Sequence, residues 1–163
     1  GLAWWALDMP FLKRYSEEKI KRNPELRGKD ISSMKKSFTR FSRYPVSIFI
    51  FAEGTRFTKE KKALQSSPFS NLLLPKPGGI GLTLSTMPYI NKLIDFSIKY
   101  ESDKKTFWAF LCGDMNEATI KVNLIDIPQE LLGGEYSEDE VYRDDLKNWL
   151  YDIWQKKDKF LNS

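Results

Sequence analysis

The chain has 163 residues and a mass of 19.1 kDa, the size of a single domain with a sizeable core. A hydrophobic content of 41%, with eleven Phe and five Trp, excludes an intrinsically disordered protein. The sequence contains no histidine, the residue that most often serves as a general base or a metal ligand. We therefore expect no metal site in it.

The single cysteine and the apolar runs narrow the class of protein further. Cys112 has no partner for an internal disulfide, and it lies in the apolar run of residues 107–112, so we expect a buried structural thiol. No apolar run approaches the roughly 20 residues of a membrane-spanning helix, and no signal segment is visible. Because the sequence begins with Gly1 and apolar residues follow at once, we expect it to be a piece of a longer protein.

Charge is unevenly distributed, although the net charge is only +4. Residues 13–43 contain eleven basic and four acidic residues, whereas residues 138–145 are acid-rich. Such asymmetry is typical of a protein with one face toward an anionic partner: a membrane surface, a phosphorylated ligand or a nucleic acid. A basic face that is merely solvated explains the same pattern.

The first twelve residues form a short apolar segment that includes Trp4 and Trp5. The segment is too short to span a bilayer, but its aromatic residues lie next to Lys13 and Arg14 and suit the interface between water and lipid. The alternative is a core segment whose packing partners lie elsewhere in the protein.

A helix and then a strand are predicted after the basic residues. Apolar residues recur there at helical spacing, at Ile31, Met34, Phe38 and Phe41. Tyr44-Pro45 ends the helix, and the β-rich apolar run at residues 46–50 predicts a strand buried on both faces. This alternation favours an α/β domain with a mixed, largely parallel sheet flanked by helices.

The predicted strand runs into the turn Glu53-Gly54-Thr55-Arg56. Ligands of open α/β sheets collect just outside the carboxyl ends of the strands. Gly54 lets a ligand approach bare backbone, and Arg56 offers a planar fork of donors for phosphate or carboxylate. We expect Glu53 to orient Arg56 or a backbone amide. The alternative is an Arg–Glu pair that merely closes a loop.

A polar loop is predicted over residues 57–69, followed by the glycine-containing segment 75–81 and a helix at 82–87. One interpretation is that Lys76 and the start of this helix add positive potential to the site. The other is that the glycines allow the helix to pack closely on the sheet.

The remaining elements are three strands and a terminal helix. Alternation or apolar runs predict strands at residues 93–100, 107–112 and 120–125. A capping box at residues 137–140 opens an amphipathic helix over 137–160. Its apolar residues form one stripe that we expect to pack in the core: Val141, Leu146, Trp149, Leu150, Ile153, Trp154 and Phe160.

Three of these motifs together resemble a known family. Glu53-Gly54-Thr55-Arg56 after an apolar strand resembles the third conserved block of the glycerolphosphate and lysophosphatidate acyltransferase superfamily. Phe11-Leu12-Lys13-Arg14 is similar to the second block, and Lys76-Pro77-Gly78-Gly79 to the lysine and glycine that follow the third. Residues 4–8, residues 57–58 and the loop that runs to Pro75-Lys76 together look most like the bacterial inner-membrane branch, and the resemblance covers nearly the whole chain.

The resemblance implies a glycerolphosphate acyltransferase-like fold and transfer of an acyl group to the free hydroxyl of a lysophospholipid such as lysophosphatidate. The acyl donor and co-substrate is acyl-CoA or acyl carrier protein, and no cofactor is expected. The acceptor phosphate is bound, by this carry-over, by Glu53, Gly54, Thr55 and Arg56, with Arg14 assisting and Lys76 a further candidate. The implied location is the cytoplasmic face of the bacterial inner membrane, in contact with the membrane surface.

One departure from the family is large. Members use a His-x-x-x-x-Asp block in which the histidine takes the hydroxyl proton, and these 163 residues contain no histidine. We therefore expect residues 1–163 to be an acyltransferase domain fragment that lacks the N-terminal part of its domain, holds the phosphate site and is inactive alone. The alternative is a non-catalytic lipid- or phosphate-binding module. Nucleic-acid binding is not expected, because the basic segment lacks an aromatic stacking platform.

Overall fold

The computed structural model describes residues 46–163, except for 103–105, 116 and 137. The chain divides into two units, residues 1–49 and residues 50–163, and every helix and strand given below belongs to the second. The expectations for the apolar segment 1–12, for the helix of the basic segment and for Arg14 lie outside the described residues.

The second unit is a small α/β domain. In chain order its elements are helix α1 (Lys59–Leu64), helix α2 (Gly78–Thr86), strand β1 (Lys92–Tyr100), helix α3 (Phe107–Leu111), strand β2 (Ala118–Asp126), a 3₁₀ helix (Gln129–Leu131) and helix α4 (Glu140–Leu161). The two predicted strands that became β1 and β2 are confirmed, as are the helices α2 and α4. The predicted loop at 57–69 contains the short helix α1.

The sheet of the described residues has two strands, and they pair antiparallel, with Phe96 opposite Val122 and Ile98 opposite Ile120. The two strands are consecutive in the chain and form a hairpin whose connection, residues 101–117, contains the short helix α3. The predicted strand at residues 46–50 is wrong: this run has no strand partner among the described residues, and Phe49 is 84% exposed.

The hairpin turns its polar face inward. Asp95 and Ser97 of β1 are buried, whereas the intervening Ile94, Phe96 and Ile98 are exposed. Strand β2 repeats the arrangement, because Lys121 lies opposite Ser97 and faces α4 while Ile120, Val122 and Leu124 are exposed on the other side. The apolar face of the hairpin is therefore uncovered within the described part of the chain.

Helix α4 supplies five of the twelve buried residues of the core cluster, more than any other element. Its buried apolar residues recur three and four positions apart, and together with residues of α2 and the connecting loops they form one cluster; those of α4 are Tyr142, Leu146, Leu150, Ile153 and Trp154. Asp139 caps the helix by accepting a hydrogen bond from the Tyr142 N–H at 3.0 Å. Val141, predicted to lie in the stripe, is instead 71% exposed, since the stripe runs through Tyr142.

The strand predicted over residues 107–112 is also wrong, because this run forms α3. The Thr106 side chain accepts a hydrogen bond from the Ala109 N–H and starts the helix. Gly113, at φ +77°, ends it in a Schellman motif in which the Asp114 N–H donates to the Ala109 carbonyl at 2.8 Å. The predicted burial of Cys112 is wrong as well, since the thiol belongs to the exposed end of this short helix.

Asp158 joins the end of α4 to a distant loop. Its side-chain oxygens accept hydrogen bonds from the backbone N–H groups of Ser70 and Asn71, each at 2.8 Å. The residue is 9% exposed, so water replaces these bonds poorly. The negative charge strengthens both bonds, and the two amides belong to a loop that has no regular structure of its own.

Replacing Asp158 with Asn should lower the free energy of unfolding by about 1–3 kcal/mol, because a neutral amide oxygen accepts more weakly and its NH₂ group faces backbone donors. Urea unfolding monitored by tryptophan fluorescence measures the change. Asp152→Asn, on an exposed position of the same helix, should change stability by less than about 0.5 kcal/mol. Equal effects of the two substitutions would contradict the anchoring role.

Two glycines of α2 give a matched test of packing. A Cβ atom at Gly81 would overlap the Tyr136 ring, whereas one at Gly79 would make ordinary contact, 3.6 Å from a methyl group of Ile50. Gly81→Ala should therefore destabilise the domain by about 1–3 kcal/mol. Gly79→Ala should stabilise it by about 0.4–1 kcal/mol, since alanine restricts the unfolded chain and favours a helix. Thermal unfolding of both variants checks this, and stabilisation by both would contradict the close approach of Tyr136.

Candidate functional site

The predicted ligand turn is a tight reversal at residues 51–54. The Gly54 N–H donates to the Phe51 carbonyl at 2.8 Å, and Gly54 has φ +68°, a left-handed conformation that glycine adopts without strain. The buried methyl group of Ala52 anchors the turn in the core. Thr55 and Arg56 follow on the exposed side, so the reversal presents their side chains to solvent.

The turn rests on the segment of residues 70–76, which is neither helix nor strand. Backbone N–H groups of this segment are held by other parts of the domain. Those of Ser70 and Asn71 bond to Asp158, and that of Leu74 bonds to the Gln65 side chain at 3.1 Å. The Lys76 N–H donates to the Ala52 carbonyl at 2.7 Å. The segment therefore links the terminal helix directly to the backbone of the turn.

Glu53 is half-buried, and it forms no ion pair with Arg56. Burial raises the pKa of its carboxyl group above the ordinary value of 4.5. Three opposing influences lower that pKa, in decreasing order: a hydrogen bond from the Leu73 backbone N–H, the positive charge of Lys157 and the indole N–H of Trp154. The indole N–H faces the carboxylate without reaching hydrogen-bond geometry. Glu53 is thus a partly desolvated acid of the turn.

Cations surround the exposed side of the turn. The Lys61 ammonium donates to the Thr55 hydroxyl at 2.6 Å and to the Arg56 carbonyl at 3.2 Å. The Lys76 side chain runs alongside Gly54, where a Cβ atom would lie 3.6 Å from its Nζ. Arg56 is itself exposed. Among the described residues, none of these three cations forms an ion pair.

The structure places the Lys76 side chain beside Gly54, which Thr55 and Arg56 follow in the same turn. Glu53 belongs to the same turn, and its role stays a prediction. Arg14 lies outside the described residues. The close packing expected for the glycines after Lys76 is found at Gly81, where it is against the Tyr136 ring rather than the sheet.

Lys61 is a residue of the site that the sequence reading missed. It reaches Thr55 because α1 begins at Lys59, with Thr58 as its cap accepting from the Lys61 N–H at 3.2 Å. A signal was present in the sequence: Thr58 followed by Glu60 is typical of a helix start, and a lysine in the first turn of that helix lies close to the preceding residues.

This arrangement can bind an anion. A left-handed glycine exposes backbone, a hydroxyl lies beside it, and cations without carboxylate partners in the described part of the chain surround both. Each charge-assisted hydrogen bond contributes about 1.5–3 kcal/mol when partly desolvated, and less on an exposed turn such as this. A groove of about 630 Å³ lies elsewhere, between the hairpin and α4, and no residue of the turn lines it.

Comparisons with known proteins do not assign the chain to a family. No protein-family model matches the chain, and no curated protein or solved structure is found to be similar to it. Within the residues that the structure describes, no helix combines the length and the apolar character needed to cross a membrane, and no group of three or more acidic or cysteine side chains is arranged to hold a metal ion.

The raised pKa of Glu53 has a consequence for stability. The folded state binds the proton of Glu53 more tightly than the unfolded state does. The contribution of Glu53 to the free energy of unfolding is therefore most favourable below pH 4.5, and it is lost as the pH rises through the pKa of the folded state. Glu53→Gln should therefore gain stability relative to the parent as pH increases. Urea unfolding across this range measures the difference.

Glu60 provides a control of opposite sign. Its own backbone N–H and the Thr58 hydroxyl lower its pKa, so its contribution is present at neutral pH and is lost on acidification. Glu60→Gln should lose stability relative to the parent as pH rises. A difference between Glu53→Gln and the parent that stays constant with pH would show that Glu53 is not desolvated.

Proposed function

We propose that the chain carries the acceptor-phosphate site of an acyltransferase that moves an acyl group from acyl-CoA or acyl carrier protein to the free hydroxyl of a lysophospholipid. The observation that carries the proposal is the turn at residues 51–56, where Glu53 is half-buried while the Thr55 hydroxyl and the Arg56 side chain face solvent beside Lys61 and Lys76. A phosphate monoester matches this combination of a cationic fork, an ammonium and a hydroxyl.

The finer parts of the proposal follow from the family resemblance. They are a largely parallel, glycerolphosphate acyltransferase-like sheet, assistance from Arg14, attachment to the membrane surface and a location at the cytoplasmic face of the bacterial inner membrane. The base that takes the hydroxyl proton is assigned to a His-x-x-x-x-Asp block outside these 163 residues, because the chain contains no histidine.

A second candidate function is a lipid- or phosphate-binding module without catalysis. The absence of histidine favours it, since the chain then holds an anion site without the usual general base. Both candidates require the same phosphate site and differ only in whether chemistry follows binding.

Arg56→Ala should weaken binding of 1-hexanoyl-lysophosphatidate to the chain about tenfold, the lower end of what loss of charge-assisted hydrogen bonds produces, because Arg56 is exposed. Isothermal titration measures the affinity. Lys147→Ala removes an exposed charge of the same sign from α4 and should leave the affinity unchanged. Monohexanoylglycerol, which lacks the phosphate, should bind both proteins equally weakly. Equal losses for Arg56→Ala and Lys147→Ala would remove Arg56 from the site.

The purified chain should show no acyl transfer from hexanoyl-CoA to lysophosphatidate, because no histidine is available to take the hydroxyl proton. Release of free CoA, followed with a thiol reagent, checks this. Turnover above the rate without protein would show that the chain contains its own base.

A further inference from the structure

The side of the hairpin that faces away from α4, here called the outer face, is apolar along most of its length. Residues that lie opposite each other in an antiparallel pair project to the same side of the sheet. Three alternate pairs of the outer face are Ile94–Leu124, Phe96–Val122 and Ile98–Ile120. Their side chains are all exposed, from 44% at Ile98 to 67% at Leu124. The described part of the chain therefore leaves a continuous apolar surface in water.

The hairpin reverses the usual arrangement of an antiparallel sheet on a helix. Such a sheet commonly packs its apolar side on the core and leaves its polar side to water. Here the polar side is the covered one, because the buried Asp95 pairs with Lys157 of α4 at 2.6 Å. Since burial of apolar area is the main driving force for association, an outer face of this composition is suited to a partner.

The size of the outer face matches one half of a stable interface. Together with Tyr100 at one end, its apolar side chains present roughly 700 Å², at about 100 Å² each, since large side chains have about 150–250 Å² and these are about half exposed. The largest apolar patch of a typical monomer covers about 300–600 Å². A standard interface buries about 800 Å² on each partner. The outer face and its rim reach that area.

The charge of the outer face favours a second copy of the chain as the partner. Among the paired residues of β1 and β2, its charged members are Lys92 and Asp126, which lie opposite each other at one end and form an ion pair. A face with net charge repels its own copy, whereas a neutral face can meet it. An anionic membrane surface attracts clusters of basic residues, and the single lysine of this face is already paired.

We propose that the chain forms a two-fold symmetric dimer in which the outer faces of two hairpins pack on each other. The two hairpins then make a four-stranded sandwich, with interdigitated apolar side chains as its core. Phe96 and Val122 form the middle pair of the register and lie near the centre of the interface. The proposal does not rest on the proposed function, because the turn at residues 51–56 contributes nothing to the outer face.

Two valines provide a matched test. Val122 lies in the middle of the outer face and is 55% exposed, whereas Val141 lies in the first turn of α4 and is 71% exposed. A glutamate at either position reaches water in a monomer, so both variants should fold, and circular dichroism checks this. Sedimentation velocity of the 163-residue chain over a range of concentrations measures its assembly.

The parent chain and Val141→Glu should sediment as dimers, with twice the chain mass of 19.1 kDa. Val122→Glu should raise the dissociation constant of the dimer about a hundredfold, because it places two like charges near the two-fold axis of an apolar interface. A parent chain that is monomeric throughout, or equal dimerisation of Val122→Glu and Val141→Glu, would overturn the proposal.

The parent chain also allows a measurement that needs no variant. The melting temperature of a dimer rises with protein concentration, and a value that stays constant over about a hundredfold dilution would overturn the proposal. A monomer that binds phosphatidylglycerol vesicles and loses this binding in Val122→Glu would overturn it in favour of a membrane surface. A monomer that Val122→Glu destabilises and Val141→Glu does not would overturn it in favour of another part of the chain covering the outer face.

Discussion

The bonds made by the last turns of α4 are the constraint on which the described domain depends. Asp158 accepts two backbone N–H groups of the loop before α2, and the adjacent Lys157 pairs with a buried carboxylate of β1. Successive residues of a helix point in directions about 100° apart, so one short stretch can hold two separate segments. The apolar stripe of α4 contributes the largest share of the core cluster of any element, and these polar contacts fix what the stripe packs against.

Burial also shapes the electrostatics of the turn. A carboxylate beside Arg56 would have neutralised it and competed with an anionic ligand. Glu53 is instead half-buried, and Arg56, Lys61 and Lys76 form no ion pair with any other described residue. Burial of one acid thus leaves an exposed positive surface on the neighbouring residues.

Local patterns predicted the helices better than they predicted the sheet. The stripe of α4 and the alternation of β1 were readable because burial repeats at a fixed period. The inward face of the hairpin could not be predicted from local alternation, because the cation that pairs with the buried Asp95 is Lys157, sixty-two residues later. The apolar composition of residues 107–112 predicted a strand. The run forms a helix instead, because Thr106 caps its start and Gly113 ends it, and these two signals outweigh the composition. The turn could be predicted because few other residue types can replace a glycine and an arginine at these positions. The contact of Lys61 with Thr55 could not be predicted, because it depends on the short helix α1 in a segment that was expected to be a loop.

The central claim is that residues 54–56, with Lys61 and Lys76, form the phosphate site, and nuclear magnetic resonance titration tests it most directly. Addition of 1-hexanoyl-lysophosphatidate to ¹⁵N-labelled protein should shift the amide signals of Gly54, Thr55 and Arg56, together with those of Lys61 and Lys76, and should leave the groove between the hairpin and α4 unchanged. Shifts confined to that groove, with the turn unaffected, would contradict the account.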